Sequence, residues 1–138
     1  MLIEDNKALS RRFLEEFWNQ KNLAAVDALL APEYINHIGP HGLPAGREGL
    51  KPLASIYFTA FPDLHFTIEN QIAEGDRVVT RLTVRGTHKG ALMGIPPTGK
   101  SIAITGIAID RVASGKIVEG WANFDEVGLM RQIGVITL

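Results

Sequence analysis

The 138-residue chain predicts an α+β domain: three N-terminal helices packed on a curved antiparallel sheet, followed by a short C-terminal helix. Two observations carry this. Apolar residues recur at helical spacing through the first sixty or so positions. After that the spacing changes to β-branched runs separated by short turn signals. The length fits one domain spanning 1–138, and a chain of this size buries roughly two-thirds of the surface that its unfolded form exposes.

Residues 5–20 place Leu9, Phe13, Leu14, Phe17 and Trp18 on one stripe, with Lys7, Arg11, Arg12, Glu15 and Glu16 opposite. Asn22 reads as the N-cap of a second, short helix that turns Leu23, Val26, Leu29 and Leu30 inward and stops before Pro32. Residues 34–38 are a short extended piece, and a Gly/Pro-rich loop runs from Gly39 to Gly46. The third helix spans 47–61, with Leu50, Leu53, Ile56, Tyr57 and Phe61 inward. Pro52 fits only if it lies in or near the first turn.

Four strands follow at 66–73, 77–87, 101–112 and 116–124. Their separators are Glu74-Gly75-Asp76, the loop around Pro96-Pro97-Thr98-Gly99, and Ser114-Gly115. Short turns between consecutive strands imply an antiparallel meander. Asp125 then caps a final helix through Ile133, and Gly134 ends it. In the third strand both faces are apolar: Ile102, Ile104, Ala108 and Val112 on one, Ala103, Ile107 and Ile109 on the other. The helices cover only one face. The other predicts a homodimer through the outer sheet face; the alternative is that the C-terminal helix or tail folds over it.

A net charge of −1 without a basic stripe argues against nucleic acid and anionic membranes as partners. No apolar run approaches ~18 residues. The absence of cysteine excludes disulfides and thiolate metal sites. The acidic start predicts no signal peptide, so a cytoplasmic location is expected. The histidines and acids show no metal spacing, so no metal and no cofactor are expected. The Pro-Pro-Thr-Gly loop is no phosphate cradle, because its prolines lack N–H donors and no helix follows.

Gly94-Ile95-Pro96-Pro97-Thr98-Gly99, then Gly115-Lys116-Ile117-Val118-Glu119-Gly120-Trp121, Asp125, and Gly128-Leu129-Met130-Arg131-Gln132-Ile133-Gly134 together resemble the SnoaL-like polyketide cyclase family. The resemblance spans nearly the whole chain. It implies the cone-shaped, nuclear-transport-factor-2-like fold, with a conical pocket between helices and sheet and a dimer through the outer faces. It also implies cofactor-free intramolecular aldol closure, with an Asp as general acid/base and a His on the adjacent strand. Aligned on Gly115-Lys116-Ile117 and Gly128, the catalytic Asp falls on Ala122 and the trailing Asp on Asp125. With Arg111 as the anchor, the His falls on Ala108. The family's pocket Asn matches Asn36, after Pro32-Glu33-Tyr34-Ile35. The scaffold matches and the acid/base pair does not, since alanine transfers no proton.

Asp110 shares strand parity with Ala108 and is the candidate replacement acid/base, its pKa raised by apolar walls. Asn36 or His37 would polarise an oxygen. The expected pocket lining is Trp18, Asn36, His37, Ala108, Gly120, Trp121, Ala122 and Phe124, a roomy, apolar hollow for a small hydrophobic, cyclic or polyketide-like ligand. Asp125 reads as a helix cap more than an acid, and His88 as a structural hydrogen bond to its loop. His65 and His41 read as surface or packing residues. Three functions stay open: a cofactor-free cyclase or isomerase using Asp110, a non-catalytic binding or carrier protein, and an epoxide-hydrolase-like enzyme. The last requires a second inward acid that the sequence does not supply.

Overall fold

Helix α1 covers Ile3–Arg12 in a computed structural model that describes residues 2–39 and 42–137; His41 lies outside the described residues. The helix continues past Arg12 as a π-helical segment, Phe13–Asn19. There Gln20 N donates to Glu15 O at 2.9 Å and Asn22 N to Glu16 O at 3.0 Å, reaching further back than the i−4 carbonyl. The wider turn brings Phe13 and Phe17 into a stack at 5.2 Å and sets Trp18 edge-on to Phe17 at 5.1 Å. The stripe puts Phe13 and Phe17 on one face, but the π-helical hydrogen bonds behind it are not visible in the spacing.

Lys21, at φ 56°, turns the chain out of the first helix. Asn22 does not cap the next one with its side chain, contrary to the sequence expectation. Helix α2 (Ala25–Leu29) starts after Ala24 without a side-chain cap, and Asn22 contributes only its carbonyl, which accepts from Ala25 N at 3.0 Å. The other end of α2 is closed from a distance. Arg47 Nη1 donates to Asp27 O at 3.2 Å and Leu30 O at 3.0 Å, a cation at the carbonyl end of the helix dipole.

The first extended piece is longer and earlier than the sequence suggests. Strand β1 runs Leu30–Asn36 and pairs in parallel with β5 (Lys116–Phe124), Leu30 opposite Ile117 and Asn36 opposite Gly120. Pro32 lies within it, where the ladder is irregular between Leu30 and Ile35. A missing N–H leaves no pairing partner stranded there. Between β1 and helix α3 (Leu50–Ala60) a single 3₁₀ turn, Arg47–Gly49, leads into the helix. Pro52 falls in the first turn of α3, where its missing N–H is harmless.

The meander is β2 (His65–Glu74), β3 (Arg77–Thr87), β4 (Ser101–Ala113) and β5. With β1 added, the sheet has five strands in the order β1-β5-β4-β3-β2, antiparallel except at β1–β5. The expected purely antiparallel four-stranded sheet is thus extended by a parallel edge. Bulges between Ile68 and Asn70 and between Arg111 and Val112 bend it around the helices.

Two apolar clusters fill the inside. One joins Phe17, Val26, Leu29, Leu50 and Ile117; the other joins Phe61, Leu82, Leu92, Ile102 and Ile133. Full burial of such side chains stabilises by ~1.5–3 kcal/mol each. Helix α4 (Glu126–Gln132) is capped as expected: Asp125 Oδ1 accepts from Gly128 N at 2.9 Å. Its Leu129 and Ile133 join the inner cluster with Ile102 and Ile104. The alternative cover for the outer face is therefore not made by α4. Ile72 and Ile107 stand 63% and 50% exposed there.

The Pro-Pro-Thr-Gly loop closes over buried His88, whose Nδ1 accepts from Thr98 N at 3.2 Å. Gly99 N donates to His88 O at 2.8 Å, so His88 holds the loop.

Candidate functional site

Between the concave sheet face and the helices lies a cavity of about 370 Å³, within the range of small-molecule sites. Helical walls come from Phe13, Leu14 and Trp18 and from Leu50, Leu53 and Tyr57 of α3. The sheet supplies Phe66, Leu82, Ile104, Ala108, Ala122 and Phe124. Trp18 sits 5.1 Å from Phe66 and 5.8 Å from Phe58, and Phe66 meets Phe124 edge-on at 6.3 Å. The lining residues that are also exposed, His37, Gly39, Asn123 and Glu126, mark its opening.

Antiparallel register places Ala108 directly opposite Ala122, and both line the cavity. One step along, Asp110 pairs with Gly120; one step the other way, Gly106 pairs with Phe124. A Cβ at Gly106 would strike the Phe124 ring, so the glycine makes room for that aromatic wall. Two methyls thus face the hollow side by side.

Asp110 lines the cavity and is half-buried. Its Oδ2 accepts from Ser10 Oγ at 2.8 Å. Burial away from water pushes its carboxyl up to about 6, against the Ser10 hydrogen bond, which favours the charged form. Tyr34, on β1, is buried and also lines the cavity. Burial raises its phenol above the ordinary value, and the negative charges of Asp110 and Glu119 add to the shift. Ser10 and Thr80 are fully enclosed nearby in the fold: Ser10 on α1, and Thr80 opposite Ala108. Gln71 Nε2 donates to Thr80 Oγ1 at 3.3 Å.

At the opening, His37 stacks on Trp121 at 4.9 Å with the planes 6° apart. His37 Nε2 and Glu119 Oε2 are 2.7 Å apart, and Arg111 Nε donates to Glu119 Oε1 at 2.9 Å. The His37 contact first, and Arg111 next, holds the Glu119 carboxyl below its ordinary range. Trp121 shares the outer parity with Ile109 and carries the Arg77 guanidinium 5.1 Å from its ring centre.

Of the residues singled out from sequence, Trp18, Ala108, Asp110, Ala122 and Phe124 lie around one hollow, with His37 and Trp121 at its opening. Asn36 and Gly120 are not part of the lining. Asn36 is at the end of β1, where its Oδ1 accepts from Ile38 N at 2.9 Å and serves a turn. A Cβ at Gly120 would collide with the Tyr34 hydroxyl, which occupies the space expected for pocket. His37 is committed to Glu119 and Trp121 at the opening, so the expected oxygen-polarising role of Asn36 or His37 finds no support beside Asp110. Tyr34 and Ser10 escaped the sequence reading. Their signals were faint: Tyr34 shares parity with Asn36 two residues on, and Ser10 is a polar residue one helical turn before the inward Leu14. Among the described residues no group of three or more His, Cys, Asp or Glu is placed to hold a metal ion, and no helix is long and apolar enough to cross a membrane.

A bent sheet wrapped by helices around an aromatic-walled hollow defines the cone-shaped α+β class. Within it, the family described as SnoaL-like polyketide cyclase matches residues 8–133, and the chain belongs to that family. It is 30% identical over 113 residues, 79% of this chain and 83% of the relative, to nogalonic acid methyl ester cyclase of Streptomyces nogalater. The structure of TsrD from Streptomyces laurentii superimposes with a TM-score of 0.89 at 27% identity, covering 99% of each chain. Wild-type IdmH from Streptomyces antibioticus superimposes at 0.82 with 32% identity, over 94% of this chain and 98% of that one.

Proposed function

We propose that the cavity binds a small, apolar, cyclic or polyketide-like molecule and that Asp110 performs cofactor-free proton transfer on it, the chemistry of ring closure or isomerisation. The observation that carries this reading is the place of the Asp110 carboxyl: it lines an aromatic cavity, and burial there pushes it up to about 6. A base poised near neutrality both takes and returns a proton. It would remove one from a carbon beside a carbonyl and later protonate the alkoxide or carbon that forms. Membership of the polyketide cyclase family supports the substrate class.

The second reading is a binding or carrier protein, favoured by the two methyls at Ala108 and Ala122. The epoxide-hydrolase alternative weakens, because the second acidic residue among the lining groups, Glu126, is exposed at the opening. We further propose a homodimer through the outer sheet face, supported by exposed Ile72 and Ile107 beside Ile109. A cytoplasmic location belongs to the same proposal.

The test uses β-tetralone, a small aromatic ketone, and follows exchange of its α-protons for deuterium by NMR. The wild-type protein is expected to accelerate exchange with a rate that rises through pH 6. Asp110→Asn should lower it by ~10²–10⁴-fold while still binding the ketone. Saturable binding without exchange selects the carrier reading. Exchange untouched by Asp110→Asn removes Asp110 from the chemistry.

A further inference from the structure

We infer that the Tyr34 hydroxyl is the hydrogen-bond donor to the substrate's carbonyl oxygen, working opposite Asp110, and that the substrate is therefore a flat, apolar ketone with an acidic α-carbon. This rests on the proton-transfer reading above. The geometry is local and specific. Gly120 faces Asp110 across the β4–β5 ladder. A Cβ built on Gly120 would collide with Tyr34 Oη and stand 3.5 Å from Asp110 Oδ1. The phenol and the free carboxylate oxygen thus converge on one point of the backbone, and only a residue without a side chain leaves both in place.

Among the described residues, no side-chain hydrogen bond reaches Tyr34 Oη or Asp110 Oδ1; Asp110 is held through Oδ2 alone. Neither atom is among the sealed polar atoms without a partner, which are Asn6 Oδ1 and His88 Nε2. Both residues line the cavity. Two polar atoms unspent by the protein, on residues that line the same hollow, are what a ligand's polar end would meet. Apart from Thr80 and Tyr57, and from His37, Asn123 and Glu126 at the opening, the remaining walls are aliphatic or aromatic, so most of the ligand must be apolar.

The two groups suit complementary tasks. Burial and the neighbouring negative charges keep the phenol protonated well above neutrality, so it can donate. The carboxyl changes state near 6, so it can accept. In the step, Asp110 Oδ1 takes a proton from the α-carbon. The C–H pair becomes the new C=C bond, and the carbonyl π pair moves to oxygen, where the Tyr34 O–H donates to the developing oxyanion. Replacement of the acid's proton by solvent deuterium and its return to carbon completes exchange; in ring closure the enolate carbon attacks a second carbonyl, whose oxygen takes the proton from the carboxylic acid and restores the carboxylate. No other reactant is needed.

Tyr34→Phe keeps the ring and removes only the hydroxyl, with no protein hydrogen bond lost, so the fold should survive by circular dichroism. β-Tetralone exchange is expected to fall by ~10²–10³-fold, with the rise near pH 6 unmoved. A second measurement uses β-naphthol, a stable enol look-alike. Its affinity should drop several-fold in Tyr34→Phe, whereas a merely structural tyrosine would leave the affinity unchanged. Wild-type exchange and wild-type naphthol affinity in Tyr34→Phe would overturn the inference while leaving Asp110 in its role. Unchanged exchange in Asp110→Asn would overturn the reading beneath it, and with it this one. Absence of exchange by the wild-type protein would overturn both.

Discussion

Two carboxylates at adjacent rungs of the β4–β5 ladder behave in opposite ways. Asp110 stands opposite Gly120 on the concave face; Glu119 stands opposite Arg111 on the outer face. Asp110 accepts one hydrogen bond, from the Ser10 hydroxyl, and is pushed up to about 6 by burial. Glu119 has an imidazole and a guanidinium and is pulled below its ordinary range. One step of strand parity separates a carboxyl met by hydroxyls alone from one flanked by two basic groups. The concave face also carries the buried apolar side chains, whereas the outer face leaves isoleucines in solvent. A sheet wall thus makes an acid with a raised pKa on one side and an ion-paired carboxylate on the other from the same residue class.

The contrast can be broken most strongly through packing. Ile117→Ala removes a fully buried side chain of the inner cluster and should lower unfolding free energy by ~2–5 kcal/mol in denaturant titrations. Ile107→Ala, on the half-exposed outer face, should cost less than about 1 kcal/mol at low protein concentration. A larger, concentration-dependent loss would accompany dimerisation through that face. Equal losses at both sites under dilute conditions would contradict the assignment of inside and outside.

Next comes the pH dependence of stability. The folded-state value of Asp110 lies above its unfolded value of about 3.9. Its contribution is therefore fully present below about pH 3.9 and is lost as pH rises through about 6. Asp110→Asn should flatten that decline in a series of thermal melts. Ser10→Ala sharpens the comparison further. Losing the hydroxyl that favours the carboxylate should raise the Asp110 midpoint above the wild-type value and move the rise in exchange rate upward in pH. A profile that stays put would mean the Ser10 contact is not felt by the carboxyl.

Glu119→Gln is expected to have the smallest effect. The lowered value of Glu119 means its contribution is present above its unfolded pKa and lost as pH falls through the folded one. The variant should therefore melt slightly lower near neutrality and converge with wild type in acid.

The helices, the meander and the capped C-terminal helix were legible because each rests on local rules. Leu9, Phe13 and Phe17 share one helical face, Gly75 and Gly115 take the left-handed turns, and Asp125 reaches the free N–H of Gly128. The parallel edge was not legible. Pairing of Leu30 with Ile117 joins residues far apart in the chain, and Pro32 is a helix-stop signal whichever structure follows it. The π-helical segment was hidden too, since Phe13 and Phe17 lie on one face whether the turn closes at i−4 or further back.

For the site, periodicity alone placed Ala108 and Asp110 on one face, and the motif alignment placed Ala122 beside them. What the sequence alone determined is this inventory: an amphipathic shell, an inward acid, and two inward methyl groups at Ala108 and Ala122. Only the tertiary structure decided that Tyr34 lines the hollow, that Ser10 backs its acid, and that Asn36 stays outside. Side-chain parity is a short-range property of a strand, whereas the meeting of β1, α1 and β4 depends on how sheet and helices close around one another. That closure also sets the dehydration that lifts Asp110 toward neutrality.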